Sequence, residues 1–302
     1  EPLGTALIVS PWNYPVQLLL NPLVGAISAG CTAVLKPSPY TPHVSATLRA
    51  MIGEIYDERY VAVVEGNRDV NTLLLDRRWD LVFFTGGSSW PPRRGTSRPS
   101  YWSWAAKAPA SWTEAPTWRP PRAASHGARP SMRGRPASPP TTCCSTNRSP
   151  MRSPRPTPGR CGDDARQSPH YVRLVNDRAF DRVASYLAQG TVRLGGRTDR
   201  AERYIEPTLL TEVDPLAPVM REEIFGPVLP VVPFRTTDEA VAFVTEREKP
   251  LALYYFGPEK SGREVLRRTS SGGACLNDTI MHIANEHLPF GGVGNSGMGR
   301  YH

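Results

Sequence analysis

The chain has 302 residues, of which 39% are hydrophobic, so it is long enough for two domains with cores of their own. It contains no run of 18 or more apolar residues and opens with no charged-then-apolar leader, so we expect a soluble, unexported cytoplasmic protein with no membrane partner. Its cysteines are odd in number and irregularly spaced, which argues against a disulfide framework or a zinc site and predicts no bound metal: Cys31, Cys143, Cys144, Cys161 and Cys275.

The first predicted strand leads into a loop that can hold chemistry. The apolar run over residues 7–9 is typical of a buried parallel strand, and Pro11, which has no amide hydrogen, ends it. Pro15 fits the first turn of the helix that follows. Because open α/β sheets bind ligands at the carboxyl ends of their strands, this loop, which contains Asn13, is a candidate ligand site. The alternative is an Asn that only satisfies a turn.

Up to Ser89 the pattern alternates strand, helix, strand, helix, strand, short helix and strand, which is half of a doubly wound, Rossmann-like parallel sheet. Helices are predicted over residues 16–30, ending at Gly30, and over 42–57, with Thr41 as the capping residue. Further strands are predicted over residues 31–35, 60–64 and 81–84. Several polar residues and glycines follow the strand ends, where backbone can approach a ligand: Lys36, Ser38, Gly66, Thr85, Gly86 and Gly87.

Residues 90–161 have a composition unlike the rest of the chain. They carry twelve arginines, one lysine and one acidic residue, so this segment has a net charge of +12 and the remainder −4, against +8 overall. They contain no Leu, Ile, Val or Phe, yet hold 15 of the 32 prolines and five of the seven tryptophans. Such a segment cannot bury enough aliphatic surface to offset the entropy of ordering, so it is predicted to be largely disordered. An Arg-rich arm that binds nucleic acid is the functional alternative.

From Gly162 onward the composition is again typical of a globular protein, with aliphatic residues again present. An apolar face at helical spacing predicts a helix over residues 168–188. Extended segments are predicted over residues 204–213, 228–234, 251–256 and 272–278, and helices over 237–248 and 260–268. Cys31 and Cys275 both lie among strand residues and are predicted to be structural. We therefore expect a partial dinucleotide-binding domain over residues 1–89 and a partial catalytic α/β domain over residues 162–302.

Several motifs together resemble the aldehyde dehydrogenase superfamily, and its class-3-like branch in particular. They are Pro-Trp-Asn-Tyr-Pro from Pro11, Lys-Pro-Ser from Lys36, Glu-Glu-Ile-Phe-Gly-Pro from Glu222 and Leu-Pro-Phe-Gly-Gly from Leu288. The resemblance covers residues 1–89 and 162–302, about three quarters of the chain. It implies an NAD- or NADP-dependent oxidoreductase that converts an aldehyde into a carboxylic acid through a cysteine thioester.

The resemblance also assigns roles residue by residue. Asn13 would donate its side-chain amide to the developing oxyanion, and the strand-end residues would bind the cofactor: Ser10, Pro11, Trp12, Lys36, Ser38, Gly66, Thr85, Gly86 and Gly87. Lys36 would bond the adenosine ribose, although a surface lysine is the plainer alternative. Glu223 would hold the nicotinamide ribose and Phe225 would flank the nicotinamide. Pro39 stands where many members have an acidic residue, which leaves NADP possible beside NAD.

A displaced reading frame accounts for the unusual segment. If the last base of each codon is joined to the first two of the next, Tyr101-Trp102 must yield Leu and Trp104-Ala105 must yield Gly. The region can then read as both missing family signatures, Glu-Leu-Gly-Gly-Lys with the general base and Gly-Gln-Thr-Cys with the nucleophile, at the family's spacing. The Glu would fall across Trp102 and Ser103, and the Cys across Pro136 and Ala137.

The printed chain therefore carries an apparent frameshift that opens near Ser89 and closes near Gly162, and it lacks both catalytic groups. Cys143 and Cys144 lie too far along to replace the nucleophile. The resemblance also implies that the family's first cofactor-domain segment precedes Glu1 and that a last strand follows His302, so we expect a fragment without turnover. Intact relatives are expected to bind an aldehyde and to form homodimers, a state not expected of this fragment.

Overall fold

The computed structural model describes residues 1–86, 101–104, 110–113, 142–146, 164–285, 287–297 and 299–300, and it describes the backbone alone for 101–104, 110–113 and 142–146. The chain divides near residue 105 into two compact units, with Gly297 belonging to the first. We call them the N-terminal unit and the C-terminal unit.

The N-terminal unit is built on a five-stranded parallel sheet. Its strands are β1 (Thr5–Val9), β2 (Thr32–Lys36), β3 (Val61–Val63), β4 (Leu81–Gly86) and β5 (Tyr101–Trp104), in the spatial order β3-β2-β1-β4-β5. The helices α1 (Gln17–Ser28), α2 (Pro42–Ile55) and α3 (Arg68–Leu75) connect β1 to β4 in turn. The predicted alternation of strands and helices is confirmed, and the strand order reverses between β1 and β4, which makes their carboxyl ends a topological switch point.

Local signals in the sequence explain these elements well. Leu7 and Ile8 are fully buried in β1, as expected of a strand covered on both faces. Helix α1 ends where Gly30 takes a φ of +79°, a left-handed conformation that glycine adopts without strain. The Gly30 amide donates to the Ile27 carbonyl and the Cys31 amide to the Ala26 carbonyl, each at 2.9 Å, which satisfies the last carbonyls of the helix.

Helix α2 begins at Pro42 as predicted, with Thr41 at the N-cap position, but the prediction that the Thr41 side chain caps the helix is wrong. The Thr41 side chain makes no capping hydrogen bond; its hydroxyl donates to the Ser38 carbonyl at 3.4 Å instead. The Ser45 hydroxyl donates to the same carbonyl at 2.9 Å. The start of α2 is therefore fastened to the loop that follows β2, one of the predicted site segments.

The C-terminal unit contains a seven-stranded sheet. Its elements, with the small hairpin of β9 and β10, are β6 (Ala110–Thr113), β7 (Thr142–Thr146), β8 (Thr191–Leu194), β9 (Thr198–Asp199), β10 (Tyr204–Ile205), β11 (Thr208–Thr211), β12 (Val228–Phe234), β13 (Ala252–Phe256) and β14 (Gly273–Leu276). The spatial order is β14-β13-β6-β7-β12-β11-β8, and neighbouring strands are parallel except β8 against β11. The helices are α4 (Asp177–Ser185), α5 (Pro218–Arg221), α6 (Thr237–Thr245), α7 (Glu259–Arg268) and α8 (Met281–Ala284).

The helix predicted over residues 168–188 is wrong at its start, because α4 begins at Asp177. Asn176 is the capping residue, and its side-chain oxygen accepts a hydrogen bond from the Ala179 amide at 2.8 Å. The residues before α4 form hydrogen bonds with a part of the chain about thirty residues away. The Leu174 amide donates to the Arg203 carbonyl at 3.1 Å, and the Tyr171 hydroxyl donates to the Ile205 carbonyl at 2.6 Å. These long-range bonds replace the local helix. The other elements predicted in this unit are confirmed to within a few residues at each end.

Within residues 90–161, expected to be largely disordered, the structure describes three short strands, β5, β6 and β7. All of their pairings are parallel: β5 pairs with β4, β6 pairs with β13, β7 pairs with β12, and β6 also pairs with β7. The rest of the predicted disordered segment lies outside the described residues. Among the residues that are described, every helix is too short or too polar to cross a membrane.

Candidate functional site

The predicted site residues of the N-terminal unit lie at the carboxyl edge of its sheet. Val9 pairs with Lys36 on β2 and with Phe84 on β4, so β1 and β2 end at the same level and β4 continues two residues further, to Gly86. Ser10 directly follows β1, and its amide donates to the Lys36 carbonyl at 3.2 Å, which extends the ladder by one residue. The sheet topology therefore brings the ends of β1, β2 and β4 together, as the sequence predicted.

Lys36 is a buried cation rather than a surface lysine, with 1% of its surface exposed. Its ammonium group donates to the Pro37 carbonyl at 2.7 Å, which is its one hydrogen bond to a described residue. Burial lowers the pKa of Lys36, and the Glu65 carboxylate, itself paired with Arg49 at 3.1 Å, partly opposes that shift. An ammonium group carries three donors, so the remaining ones can bind acceptors such as ribose hydroxyls.

Two buried hydroxyl groups lie at the switch point between β1 and β4. The Ser10 Oγ and the Thr85 Oγ1 atoms are both inaccessible to solvent and have no hydrogen-bond partner among the described residues. The register of the two strands makes Ser10 and Thr85 neighbours, because each follows one member of the pair Val9 and Phe84. Buried polar atoms are normally satisfied, so a pair of unsatisfied hydroxyls at a ligand-binding edge fits a polar ligand.

The Asn13 side chain is half-buried, and none of the hydrogen bonds among the described residues involves it. An Asn that only satisfies a turn would bond to nearby backbone, as Asn67 does when its oxygen accepts from the Asp69 amide at 2.9 Å. The turn interpretation of Asn13 is therefore not supported by its contacts. Its neighbours Pro11 and Trp12 are likewise half-buried.

Two of the predicted glycines lie where a side chain would clash with its neighbours, and only one of them also has a positive φ. Gly66, after β3, has a φ of +141°, and a Cβ there would meet the Val70 Cγ2 atom at 2.5 Å, so a side chain is excluded. At Gly86 a Cβ would meet the Phe84 ring at 2.4 Å. Ser38 is buried, and its Oγ accepts from the Tyr40 amide at 3.3 Å. Gly87 lies outside the described residues.

In the C-terminal unit, Glu223 and Phe225 lie on the loop between α5 and β12, and both are half-buried. Phe225 has a φ of +45°, in the left-handed region that residues other than glycine seldom adopt. The carbonyls of Glu223 and Ile224 each accept a hydrogen bond at 2.9 Å from the guanidinium of Arg182 on α4. Arg182 is not among the residues predicted from the sequence, since no local signal links it to a loop 41 residues away.

Cys275, predicted to be structural, has a histidine partner. Its Sγ atom lies 3.5 Å from the Nδ1 atom of His282, which is buried, and whose Nε2 atom has no hydrogen-bond partner among the described residues. Burial raises the pKa of the Cys275 thiol and lowers the pKa of His282, so both groups are neutral near pH 7. A nucleophilic cysteine requires the opposite shifts, so the structural assignment of Cys275 stands. The described residues contain no cluster of three or more metal-binding side chains.

The chain matches the model of the aldehyde dehydrogenase family over residues 1–90 and 157–302. It is 38% identical to the 4,4'-diaponeurosporen-aldehyde dehydrogenase of Staphylococcus aureus, an alignment that covers all of this chain and 68% of the relative. It is 40% identical to aldehyde dehydrogenase family 3 member B1 of Homo sapiens, covering 67% of that protein. It is 38% identical to the dimeric NADP-preferring aldehyde dehydrogenase of Rattus norvegicus, covering 69%.

Solved structures agree with these matches. The substrate-bound state of Staphylococcus aureus AldH superposes with a TM-score of 0.86 at 36% identity, covering all of this chain and 69% of that one. The Mycobacterium tuberculosis aldehyde dehydrogenase complexed with NAD+ superposes with a TM-score of 0.78 at 23% identity, covering 99% of this chain and 66% of that one, which supports the fold alone. The chain thus spans about two thirds of the length of the relatives it matches.

Proposed function

The chain belongs to the aldehyde dehydrogenase family, and from this we propose that it binds NAD or NADP but does not itself complete the oxidation of an aldehyde to a carboxylic acid. The observation that carries the binding proposal is a set of buried polar groups at the carboxyl edge of the N-terminal sheet: the Lys36 ammonium, and the Ser10 and Thr85 hydroxyls, which have no hydrogen-bond partner among the described residues. Such groups are what a polar ligand at a switch point requires.

The residues present fit a dinucleotide cofactor. Lys36 would donate to the adenosine ribose, beside Ser38, whose loop is fastened to α2 through Thr41 and Ser45. Gly66 and Gly86 keep the ends of β3 and β4 free of side chains, so that backbone can approach a ligand. Glu223 and Phe225 would hold the nicotinamide ribose and flank the ring. When bound, the nicotinamide would supply the hydride acceptor.

The choice between NAD and NADP rests on the same edge of the sheet. Pro39 carries no carboxylate that would repel a 2′-phosphate, so we propose that the chain accepts NADP as well as NAD. One relative is named as NADP-preferring, which supports NADP as a cofactor beside NAD.

Asn13 is the one proposed catalytic residue of the family that this chain retains. Its half-buried amide, free of hydrogen bonds to described residues, could donate to the oxygen on which negative charge develops when a nucleophile attacks the carbonyl. Donors of this kind accelerate the reaction only where a nucleophile is present. Removing the nucleophile of a covalent mechanism costs many orders of magnitude in rate.

The nucleophile and the general base are what this chain lacks. No Cys occupies the position across Pro136 and Ala137, and no Glu the position across Trp102 and Ser103. Cys275 does not replace the nucleophile, because its thiol and the His282 imidazole are held neutral by burial. We therefore propose that the aldehyde is a substrate of intact relatives, and that this chain retains the cofactor function without turnover.

An assay of the purified chain separates the two parts of this proposal. NADH titration followed by fluorescence is expected to show saturable binding, while NAD or NADP with medium-chain aldehydes is expected to yield no reduced cofactor. Turnover within about tenfold of a typical dehydrogenase, whose kcat is on the order of 10 per second, would contradict the inactive assignment. Absence of any NADH binding would contradict the cofactor assignment.

The nucleic-acid alternative, binding through residues 90–161, gains no support, because the family match continues on both sides of that segment. We keep a cytoplasmic location and a dimeric state of intact relatives as proposals. Sedimentation of the purified chain, expected to be monomeric, tests whether it shares that dimeric state.

A further inference from the structure

One arginine fastens the loop that carries Glu223 and Phe225 to helix α4. The Arg182 Nη1 atom donates to the Glu223 carbonyl at 2.9 Å, and the Nη2 atom donates to the Ile224 carbonyl at 2.9 Å. A planar guanidinium suits two successive carbonyls because its donors lie in a fixed fork, and the positive charge strengthens both bonds. The two carbonyls belong to the residues immediately before Phe225, where the backbone takes its unusual conformation.

The turn needs such a restraint, because its backbone is strained. Phe225 has a φ of +45°, which costs free energy for any residue with a Cβ atom and persists only where surrounding contacts hold it. The next residue is Gly226, where a Cβ would meet the Val183 Cγ1 atom at 2.6 Å. Val183 follows Arg182 on α4, so the helix contacts this turn through two successive residues.

A second pair of side chains orients the guanidinium. The Tyr186 hydroxyl accepts a hydrogen bond from Arg182 Nη1 at 2.6 Å and donates to the Glu222 carboxylate at 2.6 Å. Tyr186 is buried, and its burial together with Glu222 raises its pKa to about 12, so the hydroxyl keeps its proton and its direction across the neutral range. The Glu222 carboxylate also lies 3.9 Å from Arg182 Nη1.

We propose that Arg182, oriented by Tyr186 and Glu222, is the positioning residue that presents Glu223 and Phe225 to the nicotinamide half of the cofactor. This inference rests on the proposed cofactor function and adds a residue to it. Arg182 would not touch the cofactor itself; it would hold the peptide from which both contacting side chains project. Removing it should let Phe225 relax toward ordinary backbone angles and withdraw both side chains from their positions.

Binding of NADH and of AMP to three variants tests the role. Arg182→Met is expected to weaken NADH binding by roughly tenfold or more, the loss expected for one or two charge-assisted hydrogen bonds. Binding of AMP, which lacks the nicotinamide half, should stay within about twofold. Arg182→Lys should fall between, because a lysine cannot bond both carbonyls in the same geometry. Arg178→Met is the matched control, since Arg178 is exposed on the same helix and makes no hydrogen bond or ion pair with a described residue.

Cleavage by a glutamyl endopeptidase after Glu222 and Glu223 gives a readout independent of the cofactor. Arg182→Met should be cleaved there at least about tenfold faster than the unaltered chain, and Arg178→Met should not. NADH binding unchanged in Arg182→Met, or weakened equally with AMP binding, would overturn the positioning role. If the unaltered chain binds no NADH, the proposed function fails by itself. The cleavage rates then still test whether Arg182 holds the loop, and equal rates in Arg182→Met and the unaltered chain would refute that hold.

Discussion

The Ser10 amide donates to the Lys36 carbonyl at 3.2 Å, and this single bond links the two most informative residues of the N-terminal unit. Ser10 begins the loop that carries Asn13, and Lys36 ends the neighbouring strand as a fully buried cation. Asn13, the proposed oxyanion donor, and Lys36, the proposed ribose-binding lysine, are thus anchored to the same edge of one sheet. Mutations at this edge should affect ligand binding and stability in different directions.

Replacing Lys36 by Met should stabilise the free protein while weakening its binding of the cofactor. The Met side chain has a similar length but no ammonium group, whose charged form burial disfavours, as the lowered pKa of Lys36 shows. We expect the free energy of unfolding to rise by about 1 kcal/mol and NADH affinity to fall by about tenfold or more. Urea unfolding and NADH titration measure the two effects, with the exposed Lys260→Met as control. Lower stability with unchanged affinity would assign Lys36 to the fold alone.

Replacing Asn13 by Ala should leave the stability of the chain nearly unchanged. The side chain makes no hydrogen bond to a described residue, so we expect a change of less than about 0.5 kcal/mol in the free energy of unfolding. The comparison is Asn67→Ala, which removes the cap of α3 and should cost about 1 kcal/mol. A cost at Asn13 as large as that at Asn67 would mean that Asn13 serves the turn after all.

Two glycine-to-alanine substitutions should change stability in opposite directions. Gly66→Ala forces a Cβ into Val70 at a φ of +141° and should destabilise the protein by about 1–3 kcal/mol. Gly53→Ala lies within α2, where a Cβ meets nothing within 4 Å, and should stabilise it by about 0.5–1 kcal/mol. The midpoints of chemical denaturation report both. An equal response at the two positions would argue against the described turn after β3.

His282 should make the protein less stable as the pH falls below about 6.5. Its folded-state pKa is lowered by burial, so the unfolded chain binds a proton at a higher pH than the folded chain does. Stability from this group is complete above the unfolded pKa and is lost as the pH falls toward the lowered folded pKa. His282→Gln should flatten this slope in unfolding experiments between pH 7 and 5, whereas His43→Gln, at an exposed position, should not. An unchanged slope in His282→Gln would place the acid-sensitive group elsewhere.

The displaced-frame interpretation predicts two codons. If it is right, Ser103 is encoded by an AG-type codon and Pro136 by a codon ending in T, because only these yield Glu and Cys in the displaced frame. The DNA should also carry compensating changes near Ser89 and near Gly162 whose lengths are not multiples of three. Sequencing the locus checks this, and a TC-type codon at Ser103 would refute it. If sequencing restores one continuous frame, both catalytic groups return and the active-enzyme assignment replaces the inactive one.

The sequence by itself determined the alternation of elements up to Ser89, the position of the candidate residues at strand ends, and the family. These follow from local signals: apolar runs of strand length, prolines that cannot donate to a ladder, and short motifs whose residues are adjacent in the chain. The parallel sheet then brings Ser10, Lys36 and Thr85 to one edge without further information.

The tertiary structure decided what depends on distant partners. The stretch before α4 has helical spacing, yet Leu174 and Tyr171 bond to Arg203 and Ile205 and leave the helix to begin at Asp177. The burial of Lys36, the pairing of Cys275 with His282 and the hold of Arg182 on the Glu223 loop are equally non-local. Hydrogen bonding and desolvation act through space, so no sequence window contains both partners of such a contact, and only the folded chain assigns them.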